Sequence, residues 1–114
     1  MPFIDVKTTS SVSDEKCAVI KAALGKAISV IPGKSESWLM VEIEPECKIW
    51  FRGDASSDSA YVTVAVYGSL SDSASSAMTS EVCRILEKEL GISPDRIYVS
   101  YSEHDKWGWN GSNF

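Results

Sequence analysis

Pro2 is the residue whose type and position could do chemistry on its own. Removal of Met1, which aminopeptidases perform when the next residue is small, would leave Pro2 as a free secondary amine on a rigid ring. An α-amino group titrates near pH 8 (about 7.7–8.0), and burial in an apolar pocket disfavours its charged form and lowers that value. The result would be a base poised near neutral pH, where general acid–base proton transfer works best. Met-Pro alone is equally an ordinary start site, so the rest of the chain decides. Other chemistries find little support. The single His104 has no second His or Cys at ligand spacing, so no metal site is expected, and no G-x-S-x-G accompanies it for a hydrolase triad. Cys17, Cys47 and Cys83 are far apart, odd in number and free of any C-x-x-C, which fits free thiols in a reducing compartment.

The elements that must position Pro2 follow from the pattern. At 114 residues the chain reads as one domain, 1–114, with halves of about 2–58 and 59–114. Phe3 to Thr9 alternates, with Ile4, Val6 and Thr8 on one side of a strand. Ser11, Ser13, Asp14 and Glu15 offer a helix start, and Cys17, Ile20, Leu24, Ala27, Ile28 and Ile31 recur at helical spacing until Pro32-Gly33. Trp38 to Ile43 alternates again, and Lys48 to Phe51 reads as a further short strand.

The second half repeats the order. Ala60 to Tyr67 is a strand, Met78, Val82, Ile85, Leu86 and Leu90 stripe a helix ended by Gly91, and Ile97, Val99 and Tyr101 alternate in a last strand. A strand-helix-strand crossover makes its two strands parallel. Two such units give an α+β fold: two β-α-β units forming a four-stranded sheet with both helices on one face. The opposite face would carry Phe3, Asp5, Lys7, Met40, Glu42, Thr63, Ala65, Tyr98 and Ser100. That mixture is too apolar for a solvated surface and too polar for a dry core, which suggests cover by further copies.

A net charge of −5 with scattered basic residues argues against nucleic acid, and no apolar run is long enough for a membrane span. The N-terminus lacks the apolar core of a signal peptide. A cytoplasmic location is expected, or release without a signal peptide.

The Met-Pro start, Gly33-Lys34, the segment Gly91-Ile-Ser-Pro-Asp-Arg-Ile-Tyr98 and the tail Gly108-Trp-Asn-Gly-Ser-Asn-Phe114 occur in this order over the whole chain. Together they closely resemble the macrophage migration inhibitory factor family of the tautomerase superfamily. The resemblance implies a homotrimer whose three sheets enclose a central channel. It implies a keto–enol tautomerase without a cofactor, acting on a small aromatic α-keto acid of the phenylpyruvate type. Pro2 matches the catalytic proline. Lys34 matches the pocket-mouth lysine that binds the substrate carboxylate and helps keep Pro2 neutral. Tyr98 matches a pocket tyrosine that arrives from the neighbouring subunit. Trp109 matches the family tryptophan at the apolar lip, with Trp107 beside it and Phe114 packing at the end of the tail.

On the residues alone, Lys34 would be a helix-end lysine and Tyr98 a packed strand aromatic. Trp38 and Trp50 have no evident chemical role. Several positions depart from the family's better-known members. Val66-Tyr67-Gly68 replaces Ser-Ile-Gly, so Tyr67 adds bulk at the pocket while its backbone contact is retained. Ser100 replaces a longer asparagine, Arg52 replaces a glycine and reads as solvent-facing, and Ser59-Ala60-Tyr61-Val62 replaces a vertebrate C-x-x-C. The alternative reading is a cytokine-like ligand whose partner is a cell-surface receptor and whose pocket is vestigial or a recognition surface. Isomerisation of a dicarboxylate or dehalogenation is the third, and it lacks the arginines such sites use near the proline.

Overall fold

The alternation in the first residues produces a strand, β1 (Pro2–Thr8), in which every second side chain is buried and Ile4, Val6 and Thr8 are wholly so. The chain then enters helix α1 (Asp14–Ala27). Ser13 caps it by accepting from the Lys16 N–H at 3.1 Å, and Asp14 and Glu15 complement the helix dipole. Ile20, Leu24 and Ala27 form its buried stripe. The helix tightens into a 3-10 turn over Ile28–Val30 before Pro32 and Gly33 redirect the chain. Strand β2 (Met40–Glu44) follows. The second half is built alike: β3 (Ala60–Tyr67), helix α2 (Asp72–Leu90) capped by Ser71 on the Ala74 N–H, and β4 (Ile97–His104). This computed structural model describes all residues, 1–114.

The sheet order is β2-β1-β3-β4. β1 and β2 run parallel, β3 and β4 run parallel, and the two units meet at the antiparallel pair β1/β3, where Pro2 lies opposite Val66 and Thr8 opposite Ala60. Both helices cover one face. Ile4, Val6, Val62, Val64 and Val66 from the strands close on Ile20, Leu24, Met78, Val82 and Leu86 from the helices in a single core. The opposite face is left uncovered in one chain, with Met40 69% and Tyr98 62% exposed. It also carries an ion pair between Lys7 and Asp5, with Glu44 3.8 Å from the same ammonium.

Three details differ from the pattern reading. Lys48 to Phe51 is not a strand. Phe51 and Asp54 exchange main-chain hydrogen bonds of 2.9 and 3.0 Å around a tight turn, with Arg52 at φ 54° and Gly53 at φ 73°. The turn geometry overrides the β-propensity of Trp50 and Phe51. Trp38 lies in a 3-10 turn (Glu36–Trp38), so the strand begins only at Met40. The tail closes as a hairpin of two short strands, β5 (Gly108–Trp109) and β6 (Ser112–Asn113). Asn110 and Gly111, both at positive φ, form its turn as residues of a type I′ hairpin do.

Candidate active site

Pro2 opens β1, where a proline is tolerated because its missing N–H leaves no ladder bond broken. It is buried, and the Tyr67 N–H donates to the Met1 carbonyl at 3.1 Å, fixing the chain start against the end of β3. In this chain Met1 precedes Pro2, so the Pro2 nitrogen is an amide and the Met1 amine is the nearest titrating group. Its pKa lies below the ordinary α-amino value because of partial burial first, then the positive charge of Lys34, then a hydrogen bond with Lys34. An amine exposed at Pro2 would sit one residue further into the same surroundings.

Lys34 reaches that place through local geometry. Gly33 at φ 80° turns the chain after Pro32, and the Lys34 N–H donates to the Ile31 carbonyl at 3.1 Å. The side chain then runs back, half-buried, and its Nζ donates to the Tyr67 carbonyl at 2.8 Å. A helix-end lysine extended into solvent is therefore not what is found.

Tyr67, whose carbonyl holds this cation, begins a chain of four aromatic rings. Tyr67 packs on Phe114 with centroids 5.7 Å apart. Phe114 stacks on Trp109 at 6.3 Å and 11°. Trp109 meets Trp38 edge-on at 5.0 Å. The Phe114 N–H donates to the Trp107 carbonyl at 3.0 Å, which ties the tail down. Trp107 itself turns its ring to His104, 5.6 Å away, so its backbone serves the cluster and its side chain does not join it. Trp38 was not expected in this group. The signal was available in its place, since it shares the short connection between α1 and β2 with Lys34.

Tyr98 and Ser100 lie elsewhere. Tyr98 is in register with Tyr61 and, across β3, with Lys7, whereas Pro2 pairs with Val66. Five residues of strand separate the two positions, roughly 17 Å. Tyr98 packs edge-on against Phe51 at 5.4 Å, and Ser100 accepts a 2.8 Å hydrogen bond from the Tyr61 hydroxyl. One chain thus carries two partial constellations at opposite ends of the sheet. Pro2, Lys34, Tyr67, Trp109 and Phe114 form one, and Tyr98 and Ser100 belong to the other.

Two other clusters compete poorly for the chemistry. A groove along α2 is lined by Ser75, Thr79, Cys83 and Tyr101. Its hydroxyls satisfy each other, with Tyr101 donating to the Ser75 carbonyl at 2.8 Å and standing 2.7 Å from Thr79, while burial raises the Cys83 thiol pKa, aided by the charge of Glu87. A half-buried thiol of raised pKa is a poor nucleophile. The acidic group Asp5, Glu42 and Glu44 surrounds the ammonium of Lys7, which accounts for its charge.

Comparison with known proteins places this geometry. The family profile described as Macrophage migration inhibitory factor (MIF) matches residues 1–114. Macrophage migration inhibitory factor of Xenopus laevis is 29% identical over 100% of this chain and 99% of its own length. Among solved structures, MIF2 of Leishmania major superimposes with a TM-score of 0.92 at 35% identity, covering 100% of this chain and 97% of its own. The homologue from Prochlorococcus marinus superimposes at 0.86 with 27% identity, covering 98% of both chains. Similarity that spans the whole chain in sequence and in backbone has one consequence: this protein belongs to the macrophage migration inhibitory factor family.

Proposed function

We propose that the protein is a keto–enol tautomerase of phenylpyruvate-type α-keto acids, with Pro2 as its acid–base catalyst once Met1 is removed. The observation that carries the reading is the setting of the Met1 amine, one residue before β1, which is held below its ordinary pKa by partial burial first and then by Lys34, so that an amine at Pro2 would meet the same cation. A neutral Pro2 nitrogen would take a proton from the carbon next to the keto group, and the electron pair would move to the carbonyl oxygen as the enolate. The resulting prolinium would return the proton to that oxygen, giving the enol; ketonisation runs the same steps backwards. Lys34 would bind the substrate carboxylate and stabilise the developing negative charge. Trp109, Phe114 and Trp38 would flank the substrate ring, with Tyr67 narrowing the entrance. No cofactor is called for, since proton transfer supplies the whole reaction.

A homotrimer completes this reading. Tyr98 and Ser100, roughly 17 Å along the sheet from Pro2 of their own chain, would serve the pocket of the neighbouring copy. The uncovered face bearing Met40 and Tyr98 would be buried between copies. The test is ketonisation of enol hydroxyphenylpyruvate by Met1-free protein beside Pro2→Gly. Turnover that collapses in the variant supports the assignment. Absence of turnover in native protein with Met1 confirmed absent overturns it.

A cytokine-like role with a cell-surface receptor is the second reading. It is favoured by the Tyr67–Phe114 contact, which sets a packed tyrosine ring where the better-known members have an isoleucine. Receptor binding that survives covalent blocking of Pro2 would favour it.

A further inference from the structure

The long connection between β2 and β3 has no regular structure of its own; Thr8, Thr9 and Ser10 hold its two ends, and one further side chain, from the turn before β4, grips residues 54–59. Arg96 ends the 3-10 turn before β4, and its side chain is only 13% exposed. Its Nη2 donates to the carbonyls of Asp54 at 2.9 Å and Ser57 at 3.0 Å. Its Nε reaches the Asp58 carbonyl at 3.1 Å and Ser59 Oγ at 3.0 Å, and its Nη1 lies 3.4 Å from the Asp54 carboxylate. The guanidinium carbon stands 5.5 Å from the centre of the Phe51 ring. Phe51 in turn packs edge-on against Tyr98, whose own hydroxyl has no partner within the chain.

We propose that Arg96 is a positioning residue for the pocket. Its planar fork fastens the 54–59 segment to the start of β4, seats Phe51, and through Phe51 fixes the ring of Tyr98 in the direction the neighbouring copy's pocket requires. The inference rests on the tautomerase reading above, in which Tyr98 completes that pocket. The physical argument is geometric. A long loop without secondary structure samples many conformations unless it is tied. An arginine can serve several acceptors in one plane, whereas a lysine is a point charge on a flexible stem. Arg96→Lys therefore keeps the charge and loses the span. Phe51 is then less firmly seated against Tyr98, whose ring is exposed and has no other aromatic neighbour, and ordering that ring costs substrate binding.

The experiment measures KM and kcat for enol hydroxyphenylpyruvate in the full-length Met1-free protein, for Arg96→Lys, Phe51→Leu, Tyr98→Ala and the double variant Arg96→Lys/Tyr98→Ala. Site-specific 3-fluorotyrosine at position 98 supplies a second readout. Arg96→Lys is expected to raise KM roughly three- to tenfold, the worth of an edge-to-face pair, while the pH profile of kcat stays at its native position because the proline is untouched. Phe51→Leu reproduces the effect and carries the test where Arg96→Lys does not fold. In the Tyr98→Ala background Arg96→Lys adds nothing. A native KM with only a lowered melting temperature, or the same KM increase in both backgrounds, overturns the proposal. Native protein without turnover overturns the tautomerase reading instead. The fluorine resonance then decides: a shifted, narrowed line in Arg96→Lys supports the fixing of Tyr98, and an unchanged line overturns it.

Discussion

Lys34 Nζ donates a 2.8 Å hydrogen bond to the main-chain carbonyl of Tyr67, the residue whose N–H in turn holds the Met1 carbonyl. One residue at the end of β3 thereby joins the cation of the α1–β2 connection to the start of β1. Because the contact uses backbone, the change from isoleucine to Tyr67 leaves it intact. The side chain is free to pack on Phe114, and the ammonium stays beside the N-terminal amine.

The first prediction concerns that charge. An amine must be neutral to act as a base, and the pKa of the Met1 amine is lowered first by burial and then by the like charge of Lys34, which would act equally on an amine at Pro2. In Lys34→Met the repulsion is gone and the amine pKa rises toward its ordinary value. The acidic limb of the kcat/KM–pH profile should move to higher pH, and KM should rise about tenfold from the lost carboxylate contact, within the range of a charge-assisted hydrogen bond. A limb that stays in place while KM rises would separate the two roles and remove Lys34 from control of the amine.

The second concerns Met1. With methionine retained, the Pro2 nitrogen is an amide and has no basicity at neutral pH. Protein shown by intact mass to keep Met1 should turn over enol hydroxyphenylpyruvate no faster than Pro2→Gly, and removal of Met1 should restore the rate. Equal rates with and without Met1 would move the base elsewhere.

The strand and helix pattern was legible because each β-α-β unit buries one face of strand and helix alike, so Ile4-x-Val6, Val62-x-Val64-x-Val66 and the stripe Ile20, Leu24 show their periods openly. The segment Lys48 to Phe51 misled because Trp50 and Phe51 favour strands while Arg52-Gly53, two residues at positive φ, impose a turn. Strands of two residues, as in the tail hairpin, are too short to leave any alternation, although their Asn110-Gly111 turn was readable. In the site, the structure sets Lys34 beside the Met1 amine and the Tyr67 carbonyl and stacks Trp109 on Phe114. Trp38, Phe51 and Arg96 did not stand out, because their roles rest on contacts between segments far apart in sequence and on backbone carbonyls, which carry no residue-type signal.

The third prediction tests the core against the surface. Leu24 is fully buried between sheet and helices, and Leu24→Ala removes buried methyl groups and leaves a cavity. Urea unfolding should show a loss of about 2–5 kcal/mol. Ser71→Ala, which deletes only the cap on the Ala74 N–H, should cost about 1 kcal/mol. Trp50, 63% exposed, should change stability by less than about 0.5 kcal/mol on replacement by Ala. An equal loss for Leu24→Ala and Trp50→Ala would contradict the position of the core.

The fourth prediction follows from the separation of the two half-sites. If each pocket takes Pro2 from one copy and Tyr98 from the next, neither Pro2→Gly nor Tyr98→Ala protein has an intact pocket. Co-refolding the two in equal amounts mixes subunits. A pocket is whole when its Pro2 comes from a Tyr98→Ala subunit and its Tyr98 from a Pro2→Gly subunit, which random assembly gives for about a quarter of pockets. The mixture should therefore regain about a quarter of native activity from two weak parents, with the trimer mass verified by light scattering. The same mixture kept below its exchange temperature should show only the average of the parents. Were Tyr98 to serve the Pro2 of its own chain, no pairing could unite an intact Pro2 with an intact Tyr98, and co-refolding would restore nothing.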